Sequence, residues 1–227
     1  MKIGILQTGT APEALAREHG TYGEMFTRLL GEDAFEFVIW DVEHMDFPPD
    51  AMAADGWLIT GSKHGAYEDH AFIPPLEDLI RAIRDSGRPM IGVCFGHQII
   101  AQALGGKVEK FDGGWSIGPT TYDFGGEELT INAWHQDQVT ELPPGAQVEA
   151  SSDFCAHAAI SYGDRIFTVQ PHPEHTAQFF RDLSDARGRG VVPDEILDEA
   201  LARPDVDDGP RTMASRFAQI LKRGGPA

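Results

Sequence analysis

The sequence has little cysteine, little positive charge and no long apolar run, and each shortage excludes a class of protein. Two cysteines, Cys94 and Cys155, among 227 residues cannot staple a disulfide framework. No stretch approaches the roughly 18 apolar residues that a membrane-spanning helix needs. The apolar run in residues 1–9 is too short for the core of a secretory leader. Eighteen Lys and Arg against 36 Asp and Glu give a formal net charge of −18. Such a surface repels phosphate backbones and anionic lipids, so neither nucleic acid nor membrane is expected as a partner. Internal repeats and low-complexity linkers are also lacking. A soluble chain in a reducing compartment, with the cytoplasm as the expected location, is what these shortages leave.

What is present is enough apolar sequence, 41% of the chain, for a core that folds without staples. One domain over residues 1–227 is expected. Most of the acidity reads as solubility, but residues 191–210 carry seven acids and one Arg. That stretch is expected to be an acidic insertion between the last two helices. Short apolar runs alternate with amphipathic ones, the mark of an α/β fold. Strands are expected at 2–6, 35–40, 57–60, 90–93 and 166–170. Helices are expected at 14–30 (weakened by Gly20 and Gly23), 75–84, 96–104, 177–183 and 211–222. Runs at 120–124, 128–131 and 147–151 suggest a small antiparallel set.

Gly92-Val93-Cys94-Phe95-Gly96-His97-Gln98 lies where a buried strand turns into a helix. Such a tight turn thrusts the Cys94 side chain out of the sheet edge, with small residues beside it to permit the crowding. A helix N-terminus favours thiolate over thiol. The amide of Phe95 is free to donate to an oxyanion. Cys155 has no such context and reads as structural.

A thiol nucleophile needs a base, and the base needs an orienting group. Gln170-Pro171-His172-Pro173-Glu174 offers both. The two prolines hold the chain extended, so that His172 and Glu174 point to the same side. Both Cys94 and His172 follow strand ends, where parallel α/β sheets place their sites. A competing arrangement, zinc held by Cys94-x-x-His97 and His172-x-x-His175, is disfavoured because His97 should project along a helix away from the turn. No metal and no cofactor is expected.

Together these stretches resemble the class I (triad) glutamine amidotransferases, whose Gly-x-Cys-x-Gly-x-Gln motif is matched by Gly92, Cys94, Gly96 and Gln98. The family's His-Pro-Glu is matched by residues 172–174. Residues 96–108 look particularly like the glutaminase domain of GMP synthases. The resemblance implies a flavodoxin-like open, mostly parallel sheet flanked by helices, with Cys94 as nucleophile, His172 as general base and acid, and Glu174 as its orienter. It implies an oxyanion hole made from the backbone of Gly61, Ser62 and Phe95. Gln98 would help hold substrate, and His135, in Trp134-His135-Gln136-Asp137, would have a binding or structural role. Two departures stand out. Gly61-Ser62-Lys63 replaces the Gly-Gly-Pro of many relatives, and 227 residues leave no room for a fused synthetase domain, so a synthetase partner would be a separate subunit. Tyr67 and Trp115 fit stand-alone relatives that act as γ-glutamyl peptidases. The implied activity is hydrolysis of a γ-glutamyl amide through a thioester, with glutamine as default substrate and γ-glutamyl peptides or glutathione conjugates as the alternative. A binding or regulatory module that has lost catalysis is the remaining reading.

Overall fold

The computed structural model describes residues 1–206 and 208–224. The first half of the chain runs β1 (Lys2–Gln7), α1 (Glu13–His19), α2 (Tyr22–Leu30), β2 (Glu36–Asp41), β3 (Gly56–Ile59), α3 (Ile73–Asp85), β4 (Met90–Val93) and α4 (Phe95–Ala103). Then come β5 (Lys107–Lys110), β6 (Ser116–Asp123), β7 (Glu128–His135), β8 (Asp137–Glu141), β9 (Gln147–Ala150), β10 (Ala159–Tyr162) and β11 (Ile166–Val169). The chain continues through α5 (Ala177–Leu183), α6 (Asp194–Ala202) and α7 (Asp208–Leu221).

A seven-stranded sheet in the order β2-β1-β3-β4-β11-β10-β9 forms the centre. Its first five strands are parallel, and β10 and β9 extend it antiparallel. Strands buried on both faces should be continuously apolar, and β3, β4 and β11 are fully buried along their length. Ile3, Ile5, Leu58, Ile91 and Phe167 face α2 and α7, packing on Phe26, Met213, Phe217 and Leu221. Leu6, Trp57, Ile59 and Met90 face the other way, onto Leu76 and Ile80 of α3 and Ile99 and Ile100 of α4. This is the flavodoxin-like arrangement expected. The β5-β8 and β6-β7 pairs are small antiparallel sheets beside it.

Several local expectations need correction. The helix expected over 14–30 is two helices, broken at Gly20, whose φ is 84°. The break is reinforced by a capping box, in which the Thr21 hydroxyl accepts from the Glu24 amide while the Glu24 carboxylate accepts from the Thr21 amide. The run at 147–151 pairs with β10 in the main sheet, not with the small antiparallel set. The acidic stretch 191–210 contains α6, whose Leu197 and Ala200 pack on Ile117, Phe180 and Val192.

Candidate active site

Cys94 is clamped between strand and helix. Its N–H donates to Val169 O (2.9 Å), extending the β4–β11 ladder, and its C=O accepts from Gln98 N (3.0 Å), opening α4. The join forces φ 53° and ψ −105°, a region that side-chain-bearing residues avoid at a cost of about 1–3 kcal/mol. Small neighbours permit the turn. A Cβ on Gly96 would lie 2.2 Å from Ile59 O, and one on Gly92 would lie 2.6 Å from Gly96 O. Only glycine therefore lets α4, β4 and β3 approach this closely. Phe95, as the first residue of α4, has an N–H without a partner inside the helix.

His172 is reached from β11 and held by β7. Its N–H donates to Asn132 O (2.8 Å), and Asn132 Nδ2 donates to His175 O (3.1 Å), so one asparagine grips both ends of the 172–175 turn. The His172 Nδ1–H donates to Glu174 Oε1 at 2.7 Å, with both side chains buried. Nε2 is buried and has no partner among the described residues. Burial alone would depress the imidazole pKa, but the Glu174 carboxylate and the charge on Cys94 outweigh it and raise the value from 6.5 to about 10. The ring of His175 stacks on that of His172, with centroids 4.1 Å apart and planes 6° from parallel. Burial, and then the charge of His172, keep His175 neutral.

Gly61 faces both groups. A Cβ there would lie 3.0 Å from His172 Cε1 and 3.7 Å from Cys94 Cβ, so this strap crosses the point where the two side chains meet. The strap's orientation is fixed from behind. The Thr8 N–H donates to Thr60 Oγ1 (3.0 Å), the Thr60 hydroxyl to Gly61 O (3.1 Å), and the Thr8 hydroxyl to Thr60 O (2.9 Å), all fully buried. In a trans peptide the C=O and the following N–H point opposite ways. Holding Gly61 O toward Thr60 therefore turns the Ser62 N–H away from that network.

Cys94, Gly61, Ser62, His172 and Glu174 line one cavity of about 500 Å³, together with Gln98, His135, Tyr67 and Trp115. The sequence thus named nine of its wall residues, while the Phe95 side chain lies in the core against Phe72. Gln98 Nε2 donates to Asp137 O (2.9 Å) and Gln170 Oε1 (3.1 Å), tying α4 to the far wall. His135 is buried with neither ring nitrogen hydrogen-bonded among the described residues, and burial, with the nearby His172 charge, lowers its pKa to about 3. Burial and the Asp137 carboxylate push the Tyr67 hydroxyl up to about 12. Trp115 both lines the cavity and packs against the Ile117–Leu197 cluster.

Wall residues that sequence reasoning did not single out include Tyr22, Lys110 and Arg187. Asn132 and Thr8 stand behind the wall and were missed as well, as was the bond from the Thr60 hydroxyl, although the turn Thr60-Gly61-Ser62 itself was recognised. They are scattered over the chain and carry no local pattern. His97 is turned from Cys94 and bonds through Nδ1 to Thr168 Oγ1 (2.8 Å), so the four-ligand zinc arrangement does not assemble. Among the described residues, His172, Glu174 and His175 could hold a divalent ion, as could His64, Glu68 and His70 at the rim. Cys155 is buried elsewhere, its thiol pushed up to about 12 by burial.

Comparison with known proteins gives the family of the chain. Residues 19–182 match the family model described as glutamine amidotransferase class-I. γ-Glutamyl peptidase 4 of Arabidopsis thaliana is 32% identical over 189 residues, covering 76% of this chain and 75% of that protein. The glutamine-hydrolysing GMP synthase of Bordetella parapertussis is 32% identical over 215 residues, 80% of this chain but 39% of the synthase. The crystal structure of a glutamine amidotransferase from Methylobacillus flagellatus superposes with a TM-score of 0.74 at 23% identity, covering 98% of this chain and 93% of that one. The chain belongs to the class I glutamine amidotransferases.

Proposed function

We propose that the chain hydrolyses a γ-glutamyl amide, with Cys94 as nucleophile, His172 as general base and acid, and Glu174 holding His172 in place. The observation that carries this reading is the buried His172–Glu174 pair beside a strained cysteine, with the Gly61 strap crossing in front of both. Relatives named as γ-glutamyl peptidases and glutamine-hydrolysing synthases support an enzyme of this kind.

In the first half-reaction the Cys94 thiolate attacks the γ-carbonyl carbon. The oxygen takes up the negative charge and accepts hydrogen bonds from the Phe95 and Ser62 amides, as electrostatic stabilisation of such an intermediate requires. The imidazolium of His172 gives its proton to the departing nitrogen as the C–N bond breaks, leaving a γ-glutamyl thioester. His172, now neutral, takes a proton from water as the water attacks the thioester. The tetrahedral intermediate collapses to glutamate and free thiolate. The raised His172 pKa suits the first step, since the group that must donate is protonated at neutral pH.

Glutamine is the default substrate, and a separate synthetase subunit taking up the ammonia belongs to that version. A free-thiol enzyme of this type also fits the cytoplasm. The cavity also suits a second version, a γ-glutamyl peptidase. Its volume of about 500 Å³ is of the size that holds a whole small-molecule ligand, so a γ-glutamyl group and a departing residue larger than ammonia can share it. Cys94→Ala should abolish turnover of both substrate types while the circular-dichroism spectrum stays native; surviving activity would refute the assignment. An electrophilic glutamine analogue should add to Cys94, as read by intact-mass spectrometry. No adduct and no turnover together would return the chain to the non-catalytic binding-module reading.

A further inference from the structure

Apart from Glu174 and the rim residues Lys63 and Glu68, the cavity wall carries two charged groupings of different make. One is Asp137 with Lys110 and the Tyr67 hydroxyl, joined to Gln98 through the Asp137 carbonyl. A carboxylate beside an ammonium complements an α-amino acid head, which a γ-glutamyl group has. The other is Arg187, set among Leu183, Val191, Val192 and Tyr22. It lies beyond residue 182, where the match to the family ends.

Arg187 stands in the turn Ser184–Gly188, which continues α5 with the wider π spacing, closed by Arg189 N donating to Ser184 O (3.2 Å). Such turns reposition side chains and recur at functional sites. Its neighbour Arg189 is held by Asp194 (3.1 Å) and Asp198 (2.6 Å). Arg187 differs: among the described residues its guanidinium bonds to a carbonyl, Nη2 donating to Thr10 O at 3.0 Å, and to no carboxylate. That contact fixes one edge of a five-donor fork and leaves the rest for a ligand. In a chain with twice as many acids as bases, an arginine on the wall of the cavity that holds Cys94, with no acidic partner among the described residues, is matched to an anion from outside.

We infer that Arg187 receives a carboxylate on the leaving amine, so that the preferred substrates are γ-glutamyl peptides whose departing residue carries a free acid and an apolar side chain. Leu183, Val191 and Val192 supply the apolar wall. This rests on the hydrolase reading above and names the leaving-group class within it.

The test is steady-state kinetics of the full chain on γ-glutamyl-leucine and its C-terminal amide. The wild-type kcat/KM ratio, acid over amide, should fall by about tenfold to a hundredfold in Arg187→Gln, the range of one lost charge-assisted bond. Most of the change should be in KM for the acid. Arg187→Lys should keep an intermediate ratio, because it retains the charge without the fork. A ratio identical in wild type, Arg187→Lys and Arg187→Gln overturns the subsite even if every protein is active. Absence of turnover on any γ-glutamyl compound, with no analogue adduct on Cys94, overturns the hydrolase reading itself. Thermal melting of both variants separates loss of the fold from loss of the subsite, and a folded Arg187→Lys keeps the comparison decisive.

Discussion

The floor of the cavity and its rim are held by different kinds of contact. At the floor, Cys94 and His172 are fixed by buried backbone hydrogen bonds to Val169 and Asn132, and the Gly61 strap by the buried Thr60 hydroxyl. At the rim, the side chains meet solvent: Tyr67 is 47% exposed and Val191 63%. Rim ion pairs such as Lys63–Glu43 and His70–Glu68 are partly or largely solvated. Buried networks admit one arrangement, because any break leaves an unsatisfied polar group in low dielectric. Exposed pairs are worth little and adapt. The division suits an enzyme whose bond-breaking step is fixed while its leaving group is chosen by late, adaptable sequence.

The comparison breaks most completely at the floor. Glu174→Gln removes the carboxylate that raises the His172 pKa and should lower kcat/KM by about 10³-fold, within the range for a misdirected acid–base group. Without Glu174, only the Cys94 charge opposes the effect of burial, so the His172 pKa should fall from about 10 and the alkaline limb of the wild-type profile should move to lower pH. The same shift sets a stability window. Between pH 6.5 and about 10 the folded state binds the His172 proton more tightly than the unfolded chain does. The pair's stabilisation is thus complete below pH 6.5 and fades as pH climbs through about 10. Urea titrations across that window should show the wild type losing stability faster than Glu174→Gln.

A smaller break tests the strap. Thr60→Val keeps the side-chain shape but removes one of the two hydroxyls set on Gly61 O, the other being that of Thr8 at 3.1 Å, and so loosens the Gly61–Ser62 peptide. A fall in kcat of about tenfold with little change in KM is expected, less than the loss of an oxyanion donor outright. Thr60→Ser should restore most of it. Equal kcat in Thr60→Val and wild type would show that the strap is fixed by other contacts.

What was legible in the sequence follows the same division. The Cys94 elbow and the His172–Glu174 pair are local, each built within a few residues, so spacing exposed the elbow, and the elbow gave the weaker His–Glu spacing its meaning. The parallel strands were legible because burial on both faces leaves unbroken apolar runs. Asn132 was not, because its grip on His172 and His175 joins segments some 40 residues apart. Thr8 and Thr60 meet only once β1 and β3 are paired. The split between α1 and α2 was available in principle: Thr21-x-x-Glu24 is a capping-box signature directly after a glycine. The pattern Pro193-Asp194-Glu195 likewise marks a helix start, hidden by reading 191–210 for its charge alone.

The smallest effect is expected where the rim is tied to α6. Arg189→Ala removes exposed ion pairs to Asp194 and Asp198, and the melting temperature should move by less than about 2 °C. Its kcat on glutamine should stay within about twofold of wild type, since Arg189 does not line the cavity. The turn Ser184–Gly188 that carries Arg187 ends at Arg189, however, and α6 anchors it through those two pairs. Loosening that anchor should widen the spread of Arg187 positions and raise KM for acid-bearing γ-glutamyl peptides about twofold to threefold. The effect is modest because Arg187 keeps its own bond to Thr10 O. An Arg189→Ala enzyme that loses activity on glutamine and peptide alike would mean that floor and rim are one mechanical unit, and the distinction between them would fall.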